Sequence, residues 1–338
     1  ETPFSPYPPS FAPSFSSAVV LDSSSHAVEI VREHDVELSH AESDALGLAH
    51  GEPEPVLKPS QVVYAGRLKE RMPAWRRLAS PFICDWIEKG VPIEFEKEPE
   101  AHVRASSIQG KQERAFARSQ VTELYARGCI FENPHAKVVC PLGVVPKKGA
   151  VPFRLIHNVR FVNRFCIPKP FKYEKLTDLQ NLLVGGEWMC KLDLSAGYHH
   201  VPLREAQAPL FGFEFEGKTY SWRQLFFGLS PAPYIFTMIL RDVAKKWRFD
   251  GINLIHYIDD IAIFSKSRLL CAQQFARVRK DLEDLGFVIN MEKSVLEPTQ
   301  EIEFLGYEVN TRDIPTFKVP AARAAKLVET LVALRYQG

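Results

Sequence analysis

The sequence predicts an α+β fold, and three observations lead to that class. Amphipathic helical patterns occur at residues 113–127 and 269–285. Short apolar runs bounded by turn residues indicate hairpins, the clearest of them at residues 252–264. Helices and strands do not alternate regularly, so a parallel βαβ architecture is not expected.

Residues 1–59 are predicted to form a disordered leader. Residues 1–25 are rich in Ser, Pro and Phe, and residues 26–59 are acidic, compositions that do not bury enough apolar surface to fold. Order is expected from about residue 60. The chain starts at Glu1 rather than Met, so we expect a processed chain or a fragment, and we see no signal peptide.

The remaining helices and strands are predicted from the spacing of apolar residues and from the residues that end such elements. Gly128 is expected to end the first helix, and Gly286 is expected to end the helix at 269–285. Apolar spacing at residues 234–247 and 321–335 predicts two more helices. Runs rich in β-branched and aromatic residues predict strands at 137–146, 153–159, 188–194, 287–290 and 303–309.

Composition and charge limit the function classes. The chain is 46% hydrophobic and 25% charged, as in globular proteins, and no apolar run approaches the roughly 20 residues of a membrane span. Six scattered cysteines show no Cys-x-x-Cys pair, so we expect reduced, buried thiols in an intracellular protein, cytoplasmic or nuclear. Residues 101–172 carry thirteen Lys and Arg against three acids, which fits a surface facing phosphates as well as a solvated surface.

Three carboxylates form the candidate metal site. Asp193 follows an apolar strand, and Asp259 and Asp260 interrupt the apolar hairpin at its predicted tip. Ionised carboxylates are costly to bury without a partner. If the strand pairs beside the hairpin, their oxygens converge and suit two Mg²⁺ ions roughly 3.5–4 Å apart, as in two-metal phosphoryl transfer.

Adjacent His199 and His200 also raise the possibility of a metal site. Neighbouring residues on a strand point to opposite faces, so joint chelation by the two is not expected.

Six motifs in order resemble those of retroelement reverse transcriptases, from about residue 113 to residue 309. They are VPKKGAVPFRLIHNVRFVN at 145–163, KLDLSAGYHHVPL at 191–203, FGLSPAPYIFT at 227–237, YIDD at 257–260, GFVINMEKS at 286–294 and FLGY at 304–307. The last two, with Pro298 and Gln300 between them, are most similar to the tyrosine-recombinase retrotransposons of the DIRS group. Gypsy-type LTR elements are next.

The resemblance implies a right-hand polymerase with an antiparallel palm sheet, packed helices and an incomplete thumb. It places an N-terminal extension at 60–112, fingers at about 113–169 and 201–230, palm at about 170–200 and 231–310, and the start of a thumb or connection at 311–338. Fingers and palm together would span residues 113–310.

The resemblance also assigns roles to site residues. Asp193, Asp259 and Asp260 would be the catalytic, metal-binding carboxylates for two Mg²⁺ ions, with Mn²⁺ as an alternative. The incoming dNTP would contact Lys147 or Lys148, Arg154, Tyr198, Phe227, Gly228 and Lys293. Tyr198 would be the steric gate against ribonucleotides, and Lys293 would protonate pyrophosphate. Phe304, Leu305, Gly306 and Tyr307 would form the primer grip.

The function implied is that of an RNA-directed DNA polymerase of a retrotransposon. Its partners would be an RNA or DNA template with a primer, dNTPs, and RNase H, recombinase or integrase domains outside this chain, with no membrane. Two alternatives stay open at this point: a decayed, non-catalytic nucleic-acid-binding reverse transcriptase fold, and a DNA-templated or RNA polymerase with the same palm.

Overall fold

The computed structural model describes residues 62–147 and 152–335, which belong to one compact unit. The predicted leader at 1–59 and the side chain of Lys148 lie outside the described residues. None of the helices in the described residues is both long enough and apolar enough to cross a membrane.

The helices are labelled in chain order. They are α1 (Met72–Leu78), α2 (Pro81–Lys89), α3 (Lys111–Ala126), α4 (Arg160–Asn163), α5 (Leu176–Leu182), α6 (Ala232–Phe249), α7 (Arg268–Asp284) and α8 (Ala321–Arg335). Short 3₁₀ helices occur at Lys69–Arg71, Gly197–His200 and Glu205–Leu210. The predicted helix at 321–335 is confirmed with the same bounds.

The strands are likewise labelled in chain order. They are β1 (His102–Val103), β2 (Ile130–Glu132), β3 (Val138–Val139), β4 (Leu142–Pro146), β5 (Phe153–His157), β6 (Trp188–Asp193) and β7 (Gly212–Phe215). Those that follow are β8 (Lys218–Trp222), β9 (Leu254–Tyr257), β10 (Asp260–Ser265), β11 (Val295–Thr299), β12 (Glu301–Phe304), β13 (Tyr307–Asn310) and β14 (Thr316–Lys318).

A four-stranded antiparallel sheet, in the order β11-β6-β10-β9, carries the predicted hairpin and the strand before Asp193. Helix α7 contacts β6, β10 and β11, and α6 contacts β9. Helices cover β6 and β10, and most residues of the two strands are apolar, as expected for buried strands. The predicted α+β class with an antiparallel sheet is therefore confirmed.

The other sheets hold the basic part of the chain and its C-terminal part. A five-stranded sheet has the order β1-β3-β7-β8-β2, β4 pairs with β5, and β12-β13-β14 form a three-stranded sheet. The single strand predicted at 137–146 was wrong, since β3 and β4 belong to different sheets. Pro141 lies between them and lacks the N–H that a continuous ladder would use.

Two further strand predictions were wrong in detail. Residues 287–290 make only an isolated bridge, between Ile289 and Leu194. The strand predicted at 303–309 is a hairpin, because Leu305 (φ 52°) and Gly306 (φ 74°) form a two-residue turn between β12 and β13. Positive φ at both central residues is what a type I′ turn requires.

Residues 62–95 contribute to the main hydrophobic core rather than lying outside it. Trp75 is fully buried, and its indole N–H donates to Leu285 O at 3.0 Å, just beyond the end of α7. The backbone N–H of Ser80 donates to Asp242 on α6 at 2.6 Å. Helices α1 and α2 are thereby fixed against the helices that cover the four-stranded sheet.

All six cysteines are free and buried, as the sequence predicted. Burial raises the pKa of the Cys129 thiol to about 12 and that of Cys140 to about 11. Thiols with such pKa values are poor nucleophiles near neutral pH.

Candidate active site

Two neighbouring strands bring the predicted carboxylates together at one end of the four-stranded sheet. Asp193 is the last residue of β6, and Asp260, the first residue of β10, is its direct cross-strand partner. Directly opposed residues point to the same face of a sheet. Asp259 precedes Asp260 in the β9–β10 turn, and its carbonyl accepts a hydrogen bond from Leu194 N at 3.0 Å.

The β9–β10 turn is strained where the carboxylates are presented. Tyr257 pairs with Asp260, so Ile258 and Asp259 form the two-residue tip, and the prediction of Asp259 and Asp260 at the tip was wrong by one residue. Ile258 has φ 53°, an outlier for a β-branched residue. Such strain persists only where surrounding contacts impose it, and it is common at functional sites.

The electrostatics of the cluster favour a bound cation. Burial raises the pKa of the Asp193 carboxyl, and the charge of Asp260 adds to the rise, although Lys293 and Lys191 oppose it. Burial also raises the pKa of Asp259, with further contributions from Asp260 and Asp193. A cation bound between the carboxylates would relieve this repulsion and hold both groups ionised.

The donor set fits hard divalent ions. Among the residues that the structure describes, no three His, Cys, Asp or Glu side chains are grouped to chelate one ion. Mg²⁺ does not need such a cage, because it is usually held by one or two carboxylates together with waters and substrate phosphates. Asp260 Oδ1 is buried and accepts no hydrogen bond of good geometry within the described ranges, but the Lys191 ammonium lies 3.2 Å from it, so a metal ion at this oxygen would have to displace that lysine.

Two lysines neighbour these carboxylates. Lys293 Nζ lies 3.9 Å from Asp193 Oδ1 and is 69% exposed, so this predicted residue reaches the cluster from the solvent side. Lys191 Nζ lies 3.2 Å from Asp260 Oδ1. We did not single out Lys191 from the sequence, although its position two residues before Asp193 on a strand places both on one face.

A tight turn follows Asp193 and carries Tyr198. The 3₁₀ helix Gly197–His200 is entered through Ala196 in the left-handed conformation at φ 51°. The Tyr198 ring is buried, 4.7 Å from the Phe227 ring and 5.4 Å from the Phe236 ring between centroids. Burial raises the pKa of the Tyr198 hydroxyl, and the nearby charge of Asp259 contributes to the rise.

The expectation that His199 and His200 lie on a strand was wrong, since both belong to this 3₁₀ helix. His200 Nε2 accepts a hydrogen bond from Val288 N at 3.2 Å, so Nδ1 carries the proton that Gly197 O accepts at 3.3 Å. Both ring nitrogens of His200 are thus used by the backbone.

Phe227 and Gly228 lie on the loop before α6. Phe227 is 61% exposed, which leaves most of its ring free to contact a ligand. Asn163 holds the loop, because its side-chain amide donates to Gly228 O at 2.8 Å and its carbonyl accepts from Ser230 N at 2.9 Å. Nothing in the sequence indicates this role beyond the position of Asn163 at the end of a motif.

The predicted phosphate-binding cations lie on a separate hairpin. Arg154 is exposed on β5, opposite Val145 of β4, and exposed Lys147 directly follows β4. The structure therefore keeps Lys147 and Arg154 close in register on the two-stranded sheet, apart from the sheet that carries the carboxylates.

An open groove connects Asp260 to the β12–β13 turn. Its volume is about 540 Å³, and Tyr257, Asp260, Leu305, Gly306 and Tyr307 are among its lining residues. Phe304 is fully buried beneath the turn. The four residues predicted to hold a primer thus lie at the turn of a hairpin that shares a groove with Asp260, with Phe304 buried beneath the turn.

Part of the chain matches a known protein family. Residues 145–309 match the family model described as reverse transcriptase (RNA-dependent DNA polymerase). The chain is 28% identical over 205 residues to a retrovirus-related Pol polyprotein from transposon opus of Drosophila melanogaster, covering 60% of this chain and 20% of that protein. It is 29% identical over 191 residues to the Gag-Pol polyprotein of walleye dermal sarcoma virus, covering 56% of this chain and 11% of that one.

Solved structures share the fold. The protease-reverse transcriptase of prototype foamy virus matches with a TM-score of 0.58 and 22% identity, covering 67% of this chain and 30% of that chain. A foamy viral protease-reverse transcriptase in complex with ds DNA matches with a TM-score of 0.60 and 18% identity, covering 84% of this chain and 51% of that one.

The chain spans a fifth or less of these two polyproteins, so what it matches is one part of them. The matched segment 145–309 includes the three carboxylates and the β12–β13 turn. Polymerases of this family typically use divalent metals. Residues 145–309 therefore match a reverse transcriptase (RNA-dependent DNA polymerase) domain, and the relatives of this segment are polyproteins of LTR-type retrotransposons and retroviruses.

Proposed function

We propose that this chain is an active RNA-directed DNA polymerase that adds dNTPs to a primer 3′-hydroxyl. The observation that carries the proposal is the cross-strand pairing of Asp193 with Asp260, with Asp259 in the adjoining turn. Opposed like charges destabilise a sheet, so a fold that serves only as a scaffold would gain by losing them. Burial and mutual repulsion raise the pKa of Asp193 and Asp259, as expected for a site completed by cations.

In this proposal Asp193, Asp259 and Asp260 hold two Mg²⁺ ions, with Mn²⁺ as a substitute. When bound, the ions would supply Lewis-acid stabilisation of the attacking and leaving oxygens of an in-line displacement. Lys293, beside Asp193, would donate a proton to the departing pyrophosphate. Its 69% exposed side chain can reach a substrate phosphate from the solvent side.

The nucleotide would lie between the carboxylates and the β4–β5 hairpin. Lys147 or Lys148 would supply a point charge to the triphosphate, and Arg154 would grip phosphate oxygens in a bidentate manner. Tyr198 would form the floor under the sugar and exclude a ribose 2′-hydroxyl. The contact of its ring with exposed Phe227 supports a shared surface for sugar and base.

The proposed division into fingers and palm follows the sheets. Residues 113–169 and 201–230 would form the fingers, since they supply β2 to β5 and β7 and β8. Residues 170–200 and 231–310 would form the palm, because they supply the four-stranded sheet and the hairpin of residues 304–307. That hairpin would hold the primer terminus, and residues 311–338 would start the thumb.

We also propose a place among the retroelements and a set of partners. The amino-acid sequence of residues 286–307, with Pro298 and Gln300, supports membership of the DIRS group over gypsy-type elements. The partners would be a primed RNA or DNA template and RNase H, recombinase or integrase domains elsewhere in a polyprotein, inside the cell. A tyrosine recombinase encoded in the flanking sequence would support the DIRS assignment, and an integrase there would contradict it.

A primer-extension assay on poly(rA)/oligo(dT) with dTTP and Mg²⁺ tests the activity. The parent protein should extend the primer, and Asp259→Asn should lower the rate by at least about a hundredfold, the upper range seen for partners that only support a metal ligand. Asp313→Asn, which makes the same change at an exposed position, is the matched control. Equal extension by the parent and by Asp259→Asn would contradict the catalytic assignment and favour a non-catalytic, nucleic-acid-binding fold.

A further inference from the structure

Tyr64 is a buried aromatic residue outside the matched segment 145–309 that reaches the candidate active site. Its side chain is 1% exposed. Its backbone N–H donates to Arg127 O at 3.0 Å, and the N–H of Ala65 donates to the same oxygen at 3.3 Å. These two bonds fix the start of the described chain to the end of α3.

The Tyr64 hydroxyl links Arg127 to the turn after Asp193. Arg127 Nη1 donates to this hydroxyl at 3.2 Å, and a guanidinium has no acceptor, so the hydroxyl oxygen is the acceptor there. The hydroxyl hydrogen is then available to Ser195 Oγ, which lies 3.3 Å away. The ring of Tyr64 packs on the imidazole of His200, with 4.5 Å between centroids.

Ser195 and His200 lie on either side of the segment that carries Tyr198. Between them the backbone has little freedom, because Ala196 is left-handed and a Cβ on Gly197 would come within 2.7 Å of the Phe236 ring. The ring of His200 is itself fixed by two backbone partners. Tyr64 therefore contacts both ends of this turn at once, through its hydroxyl at one end and its ring at the other.

We propose that Tyr64 is a positioning residue for sugar selection, holding the turn of residues 195–200 so that the Tyr198 ring lies where a ribose 2′-hydroxyl would collide with it. This inference rests on the proposed function of Tyr198. This role extends nucleotide selection to a residue that precedes the matched segment 145–309. A side chain in a tight turn moves when its anchor is lost, and small displacements of a steric wall are enough to admit one more oxygen atom.

The test is the ratio of kcat/KM for dTTP to that for UTP on poly(rA)/oligo(dT). Tyr64→Phe removes the hydroxyl and with it the bonds to Arg127 and Ser195. Loss of the neutral bond to Ser195 should lower this ratio by about threefold to tenfold. Ser195→Ala should lower it to a similar extent. The double variant should show no further loss, because both changes break the same bond.

Controls separate positioning from general loosening. Tyr220→Phe makes the same chemical change on β8, away from this turn, and should leave the ratio unchanged. If the parent is selective and Tyr198→Ala relaxes selection but Tyr64→Phe does not, the inference about Tyr64 is overturned while the proposed function survives. If the parent fails to extend, the proposed function fails and the inference fails with it. If the parent extends but Tyr198→Ala leaves the ratio unchanged, the role of Tyr198 in sugar selection fails, and the inference about Tyr64 fails with that role.

Discussion

His157 provides a quantitative prediction about acid stability. It ends β5 with its ring buried, and Trp222 Nε1 donates to its Nδ1 at 3.2 Å. Its Nε2 is then the protonated nitrogen and donates to Gly212 O at 3.1 Å. The rings of Phe213 and Phe226 lie 5.5 Å away, and burial in these surroundings lowers the pKa of His157 to about 4.

The lowered pKa predicts a loss of stability in mild acid. The unfolded chain takes up a proton near the ordinary histidine pKa of 6.5, whereas the folded protein resists it until about 4. The contribution of His157 is therefore complete above pH 6.5 and is lost as the pH falls toward 4. Between pH 7 and pH 5 this linkage removes about 2 kcal/mol from the free energy of unfolding.

Urea denaturation of the parent and of His157→Gln at pH 7, 6 and 5 measures this contribution. The variant will be less stable at pH 7. Its free energy of unfolding should fall between pH 7 and pH 5 by about 2 kcal/mol less than that of the parent. His135→Gln, at an exposed position, should keep the decrease of the parent. Equal decreases in the parent and His157→Gln would refute the reasoning.

Three further predictions follow from the contacts. Gly90→Ala should lower the free energy of unfolding in urea denaturation by at least about 1–2 kcal/mol more than Gly251→Ala does. Both glycines have φ 84°, but only at Gly90 would an added Cβ come within 2.5 Å of Leu203 O. Asp281→Ala should cost about 1–3 kcal/mol by the same method, because it leaves the buried indole N–H of Trp247 without its acceptor, whereas the Arg277 guanidinium is half exposed and can be hydrated. Asn163→Ala should raise the KM for dTTP in primer extension with little effect on stability, because it releases the loop before α6; an unchanged KM would contradict this.

The convergence of the carboxylates was predictable from the sequence. Side chains on a strand alternate between two faces, so a strand ending at Asp193 can pair with the hairpin that carries Asp259 and Asp260 in only a few ways. The registers observed for β6, β9 and β10 agree with this expectation. The one-residue error at the tip arose because Ile258 adopts a positive φ, which its side chain disfavours. Local propensity cannot predict a conformation that tertiary contacts impose.

The contacts that support the site were not predictable. Tyr64 and Ser195 are 131 residues apart, and nothing in the local pattern of either residue points to the other. Leu305 is a second example. It adopts φ 52° in the turn that makes residues 303–309 a hairpin, and leucine is not a residue from which such a turn would be predicted. The lysine beside Asp260 was predictable in principle, because Lys191 shares the strand face of Asp193.

The bond from Trp75 to Leu285 affects the order in which the chain can fold. The two residues are 210 positions apart, so a ribosome needs roughly 10 to 40 s to make the second after the first, at 5–20 residues per second. During that interval α1 and α2, which carry large apolar side chains, have been synthesised, but α7, which will cover part of their surface, has not. Synthesis of this domain should therefore depend on chaperones that shield its first helices until α7 has emerged.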